Sequence, residues 1–264
     1  EKGTEETNNR TGQKTKALPG LHIQVDLEKE FPLLTARKIR VENFVAEMMW
    51  FVAGEKNTKR FLSHRTKIWD SFTEENGEIE TAYGYRWRHY FGRDQLDLLV
   101  KLLQKDPSSR HGVVITWDPA TDGLGGVAKK NVPCPYTFTV NIIGGRLHLH
   151  NIVRSNDMVL GFPTDVAGFA FLQLLLAAKL GVKPGIYTQS ISNAHIYDNH
   201  YFAAEEMINR ELWQGMTAVP PIEFPQYAFD QAQILDETFF DHVVSKFKEQ
   251  YHPLAPIQNL IIAL

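Results

Sequence analysis

One cysteine stands in the 264-residue chain, Cys134, held between two prolines in Val132-Pro133-Cys134-Pro135. A thiolate is a nucleophile, and nearby guanidinium groups lower the thiol pKa while binding phosphate or carboxylate. Arg110 and Arg154 fall at neighbouring strand ends, so an electropositive thiolate site is one reading. The other is an inert buried thiol, a common fate of free cysteine. Glu47 lies inside an apolar helical run, where burial would raise its pKa into the range of proton transfer; the alternative is a place on the helix flank. His195 and Tyr197 share a face if 193–197 is extended and could together hold a hydroxyl, although ordinary packing with satisfied polar tips explains them equally. His148 and His150 alternate with Leu147 and Leu149, as a metal pair would and as a solvated strand face would. With no second Cys and no H-E-x-x-H helix, the expectation is no metal. Arg154-Ser155-Asn156-Asp157 and Gly161-Phe162-Pro163-Thr164-Asp165 gather further polar groups at a strand end and before a helix.

The elements that must position these groups follow from hydrophobic periodicity. Leu21, Ile23, Val25 and Leu27 alternate with polar residues and predict a half-buried strand, with Arg10 on a loop before it. Val41, Phe44, Val45, Met48, Met49 and Val52 recur at three- and four-residue spacing and predict a helix over Val41–Ala53. A helix over Gln95–Leu103 ends at Asp106-Pro107, and Gly112–Trp117 reads as a buried strand with Arg110 and His111 at its mouth. Tyr136–Ile143 and Arg146–Val153 flank Gly144-Gly145 and predict a hairpin. A buried helix from about Val166 to Leu180, capped by Gly181, places Asp165 near its N-terminus, and a strand over Ile186–Ile191 follows. The glycine-bearing stretch from Thr116 to Lys130 is predicted to be mobile.

Composition sets the class. The chain is 43% hydrophobic and 22% charged with a formal charge of -3, which excludes a disordered chain and argues against a surface built for non-specific nucleic-acid or acidic-membrane binding. A lone cysteine admits no intrachain disulfide and points to a reducing, cytoplasmic setting. Glu1–Lys16 is polar, so neither a signal peptide nor an anchor is expected, and Val166–Val182 is interrupted by Gln173 and Lys179 and shorter than the roughly 20 residues of a membrane span. Without internal repeats or linker-like shifts, 1–264 reads as one α+β domain with one principal mixed sheet flanked by helices.

Taken together, the segments resemble the thymidylate synthase superfamily. The matching stretches, in family order, include Asn9-Arg10-Thr11-Gly12, Phe31-Pro32-Leu33-Leu34-Thr35, Glu47-Met48-Met49-Trp50-Phe51, Ile68-Trp69-Asp70 and Tyr83-Gly84-Tyr85-Arg86-Trp87. They continue through Asp106-Pro107-Ser108-Ser109-Arg110, Pro133-Cys134, Arg154-Ser155-Asn156-Asp157 and Ala194-His195-Ile196-Tyr197. The resemblance implies a homodimer joined through a sheet face that transfers one carbon from 5,10-methylenetetrahydrofolate to C5 of a pyrimidine deoxynucleoside monophosphate, with no nucleic acid or membrane partner. It implies that Cys134 attacks C6, Glu47 relays protons, and Arg10, Arg154, Ser155 and a partner's Arg110 hold the phosphate. It further assigns the 3′-hydroxyl to His195 and Tyr197, the pterin to Asp157 and the folate face to Trp69.

Departures refine this expectation. Synthases carry Asn immediately before the Ile-Ala or Val-Ala of the long helix, where this chain has Asp165. Asn can donate to uracil O4 and accept from N3–H; a carboxylate only accepts, which suits the cytosine amino group, with one proton shared between N3 and the acid. A mismatched buried polar pair costs about 1–3 kcal/mol, or roughly one to two decades of preference. The same Asp, the Arg154-Ser155-Asn156-Asp157 run and Gly161-Phe162 look like those of phage deoxycytidylate hydroxymethylases, so the expected product is 5-hydroxymethyl-dCMP, followed by methylation of dCMP and then thymidylate synthesis from dUMP. His111, Pro135 and Asn131 also depart from the synthase pattern. Outside this class stand a non-catalytic nucleotide- or RNA-binding relative and a metal-dependent hydrolase using His148, His150 and Asp157.

Overall fold

The computed structural model describes residues 3–7, 12–126, 129–214 (backbone alone for 212–214) and 218–261. Among the described residues seven strands form one mixed sheet: β1 (Thr4–Thr7), β2 (Lys14–Asp26), β3 (Val113–Ile115), β4 (Pro135–Ile143), β5 (Arg146–Val153), β6 (Asn156–Asp157) and β7 (Lys183–Tyr197). Their order is β1-β2-β7-β5-β4-β3, with β6 on β7. β7 runs parallel to β5 and β6; the other pairs are antiparallel. The helices are α1 (Val41–Val52), α2 (Tyr83–Tyr85, continuing as a π-helical turn over Arg86–Tyr90), α3 (Gln95–Lys105), α4 (Gly161–Leu180), α5 (Tyr201–Gln214), α6 (Ala228–Gln233) and α7 (Glu237–Gln250). This is the expected α+β architecture.

The predicted hairpin forms because Gly144 and Gly145 both adopt positive φ, +60° and +75°, as a two-residue turn matched to strand twist requires. Along β5, Leu147, Leu149 and Val153 are buried while the alternate positions face outward; Leu147 and Leu149 join Phe138, Val140 and Tyr187 in the core, and Val153 joins a second cluster with Ile191 and Ala194. Against this face lies α4, buried along Val166–Ala177, with α1 across it. α4 starts five residues before the predicted Val166, so its 20 residues match the length of a membrane span by size and composition, yet 72% of its apolar window is buried within the chain. It is the central core helix.

Other differences have local causes. β2 starts at Lys14, seven residues before the predicted strand, and its front, where buried Thr15 and Ala17 alternate with exposed lysines, is recruited by pairing with β7 as far as Tyr197. β1 is exposed throughout and gave no apolar signal. The stretch predicted to be mobile is tied down within its described residues: buried Asp122 pairs with buried Arg86 and with Lys129, while Asp118 accepts from Tyr90 and Thr121.

Candidate active site

The register of β6 on β7 sets Asn156 beside Ala194 and Asp157 beside His195, so two strand ends deliver polar groups to one point. Extension of β7 to Tyr197 puts His195 and Tyr197 on that same face, their rings edge to face with centroids 5.1 Å apart. The stretch before β4 brings Cys134, α1 brings Glu47, and the second turn of α4 brings Asp165. These groups line a single cleft of about 660 Å³, together with Trp69, Arg154, Ser155 and Asp157. That volume lies within the range of small-molecule sites.

Of the other residues singled out from sequence, Arg110 lies on an exposed turn outside the cleft and His111 is exposed beside it. Arg10 lies outside the described residues. His148 and His150 face outward on β5, away from the cleft: His148 Nδ1 accepts from the Ile186 N–H at 3.0 Å, and His150 Nε2 meets Ser190 Oγ at 2.9 Å. Asp157 is in the cleft and the two histidines are not, so the hydrolase constellation is not assembled; among the described residues no group of three metal-ligating side chains converges.

Cys134 is half-buried, with its Sγ 3.7 Å from Arg154 Nη2. Arg154 is itself held by Nε and Nη2 donating to the carbonyls of Pro133 and Val132, both at 2.8 Å, which fixes the guanidinium against the thiol. Glu47 is only 6% exposed and accepts from Trp69 Nε1 at 2.6 Å. Burial, with repulsion from Asp165 second, pushes its carboxyl up to about 8, against the smaller opposing effect of the Trp69 hydrogen bond. Burial also pushes Asp165 up to about 7, although Asn156 Nδ2 donates to its Oδ2 at 2.8 Å and so favours the charged form. Both acids can therefore hold a proton near neutrality.

Tyr83 and Asn156 complete the centre, and neither was assigned a role from sequence. The Tyr83 hydroxyl accepts from the Cys134 backbone N–H at 3.3 Å. Its signal was Gly84: a Cβ there would lie 2.1 Å from Phe51 O, so only glycine lets α2 approach α1 closely enough to bring Tyr83 in. Asn156 lies inside Arg154-Ser155-Asn156-Asp157, where the sequence marks only a polar run.

The remaining wall suits a flat, acidic co-substrate. Ile68, Trp69, Phe72 and Leu160 form an apolar side, and Arg37, Lys38, Arg40, Lys129 and Lys130 line the same cleft as cations. Asp157 Oδ1 accepts from the Val159 and Leu160 N–H groups, which anchors its carboxyl beside that wall. An aromatic pterin with a glutamate tail fits this donor set.

A family model described as thymidylate synthase matches residues 1–261. Members transfer a one-carbon unit from methylenetetrahydrofolate to C5 of pyrimidine nucleotide monophosphates and are typically dimeric. With nearly its whole length matched and a thiol, two protonatable carboxyls and an arginine gathered in one cleft, this chain belongs to the thymidylate synthase family.

Proposed function

We propose that the protein converts dCMP to 5-hydroxymethyl-dCMP, using methylenetetrahydrofolate and water. The observation that carries this reading is Asp165, a half-buried acid in the Cys134 cleft whose carboxyl is raised to about 7. In its neutral form it presents one acceptor and one donor, complementary to the amino group and N3 of cytosine. When bound, methylenetetrahydrofolate supplies the carbon at the oxidation level of formaldehyde.

The chain's residues then have distinct tasks. Cys134 Sγ adds to C6, turning C5 into the nucleophile that forms the new carbon–carbon bond. Asp165 keeps the proton on the N3 side as electron density builds on the ring. Glu47, through water, assists loss of the C5 proton as the bond between the transferred carbon and the folate nitrogen breaks, then takes a proton from the water whose oxygen adds to the exocyclic carbon, after which Sγ leaves C6. Arg154 and Ser155 bind the phosphate, together with Arg10 and, from the partner subunit across the sheet face, Arg110. His195 and Tyr197 hold the 3′-hydroxyl. Trp69 has a double role: its ring meets the folate while its N–H orients Glu47. Asp157 meets the pterin.

The test is tritium release from 5-labelled dCMP in the presence of methylenetetrahydrofolate, with dUMP in parallel. Release from dCMP and a product one oxygen heavier than 5-methyl-dCMP are expected. Turnover of dUMP alone rejects the substrate, and a methylated product rejects hydroxymethylation.

A further inference from the structure

Behind Asp165 runs a chain of buried amides that does not touch the cleft beyond Asn156. Tyr187 Oη donates to Gln189 Oε1 at 2.6 Å and Asn151 Nδ2 donates to the same oxygen at 3.2 Å. Gln189 Nε2 then donates to Asn156 Oδ1 at 3.0 Å, and Asn156 Nδ2 donates to Asp165 Oδ2 at 2.8 Å. Tyr187, Gln189 and Asn151 are fully buried, so water cannot substitute for any of these bonds. Two donors converge on Gln189 Oε1, so turning that amide over would require the Tyr187 hydroxyl to accept and the Asn151 amide to turn with it. The orientation of Gln189 fixes that of Asn156, whose NH₂ therefore faces Asp165.

The consequence concerns the direction in which a neutral carboxyl pairs. A carboxylic acid free to carry its proton on either oxygen matches cytosine in one form and uracil in the other, because the two bases present donor and acceptor in opposite order at N3 and C4. A proton on Oδ2 would confront the Asn156 N–H. We propose that Gln189 and Asn156 are specificity-determining positioning residues: they hold Asp165 Oδ2 as the acceptor facing the base amino group and confine the proton shared with N3 to Oδ1. This rests on the reading of Asp165 as the residue that pairs with the base. Gln189 has no contact with substrate in this scheme and acts only through the relay.

Measurement of kcat/KM for dCMP and dUMP by tritium release, in the wild type, Gln189→Met, Asn156→Ala and Tyr187→Phe, tests the inference. The dCMP-to-dUMP ratio is expected to fall about tenfold in Gln189→Met and at least as far in Asn156→Ala, the effect of losing one directed buried hydrogen bond, and about threefold in Tyr187→Phe, where Asn151 still donates. A ratio cancels the fraction of folded protein, and Tyr187→Phe keeps the ring volume should Gln189→Met not fold. An unmoved ratio in the folded variants, with dCMP turned over by the wild type, overturns the relay and leaves the substrate reading standing. Absence of dCMP turnover by the wild type overturns both. In the Asp165→Asn background the relay would hold the amide oxygen toward Asn156, so Gln189→Met should move the ratio toward dUMP there as well; no shift in that background would show that Gln189 does not act through residue 165.

Discussion

Burial treats the carboxylates of two regions in opposite ways. In the cleft, Glu47 and Asp165 form no ion pair among the described residues, and burial drives them to about 8 and about 7. In the loop that borders the cleft, Asp122 is as deeply buried but is bonded by Arg86 and Lys129, and its carboxyl falls to about 2. The difference lies in the partners. An acid given cations is a fixed charge that anchors a loop; an acid given only neutral donors becomes a proton carrier at working pH. The opposite shifts also give opposite pH dependences. Glu47 and Asp165 keep in the folded state a proton that the unfolded chain loses, so their contribution to stability is full below their ordinary values near 4 and is lost as pH rises through 7 and 8. Asp122 contributes above its ordinary value of 3.8, and that contribution is lost as pH falls through about 2.

The largest expected effect is on the cleft side. Glu47→Gln keeps an acceptor for Trp69 but cannot carry protons, so kcat should fall by about 100- to 10,000-fold, the usual range for a general acid–base group. The same variant should lose less stability than the wild type between pH 5 and pH 8, because an acid whose proton the folded state favours is gone. Parallel stability–pH curves in denaturant would contradict this assignment of Glu47. On the anchored side, Asp122→Asn leaves the Arg86 charge buried without a counter-ion and should cost about 3–5 kcal/mol. Chemical denaturation measures it, and a loss below about 1 kcal/mol, the level of an exposed pair, would remove the contrast.

A smaller effect is expected where the two acids differ in task. Asp165→Asn replaces a carboxyl by an amide that suits uracil once it is free to turn, so combined with Gln189→Met, which releases Asn156, the dCMP-to-dUMP preference should move toward dUMP by roughly 10- to 100-fold. In the wild type, the same ratio should decline as pH rises through about 7, because ionised Asp165 has no proton to share with N3. A preference independent of pH across this range would argue that the charged form recognises the base.

Much of this centre was legible in the sequence. Cys134 and Glu47 were conspicuous because each breaks a local rule, a lone thiol between prolines and a carboxylate in an apolar helical stripe; Asp165, an acid near a helix N-terminus, breaks none and stood out only through the resemblance, at a place where synthases carry Asn. The hairpin at Gly144-Gly145 and the helix over Val41–Val52 followed from turn chemistry and period. What stayed hidden depends on distant pairing. Exposed β1 and the front of β2 carry no periodic apolar signal, and their strand character comes from neighbours such as β7. Stabilisation of the 116–126 loop by Arg86 joins residues 36 positions apart, and the donation from Gln189 to Asn156 spans 33. Local pattern holds no record of such contacts, so glycine content alone suggested a mobile loop where an ion pair holds it.

The finest test of the contrast removes one of the two cations that hold Asp122. Lys129 Nζ lies 3.0 Å from Asp122 Oδ1 and also donates to Thr121, with its side chain almost fully buried. Lys129→Met retains much of the apolar stem and leaves Arg86 in place, so the cost should be about 1–2 kcal/mol, the scale of one charged hydrogen bond. If partners rather than burial decide the fate of these acids, Asp122 must respond in proportion: its pKa should rise from about 2 while remaining below that of Asp165, and acid unfolding should begin at higher pH than in the wild type. Titration of the Asp122 carboxyl by NMR would follow this directly. A pKa unmoved by the loss of Lys129 would assign the whole depression to Arg86 and the Asp118 N–H that also reaches Asp122, and would reduce the contrast between the two regions to one guanidinium.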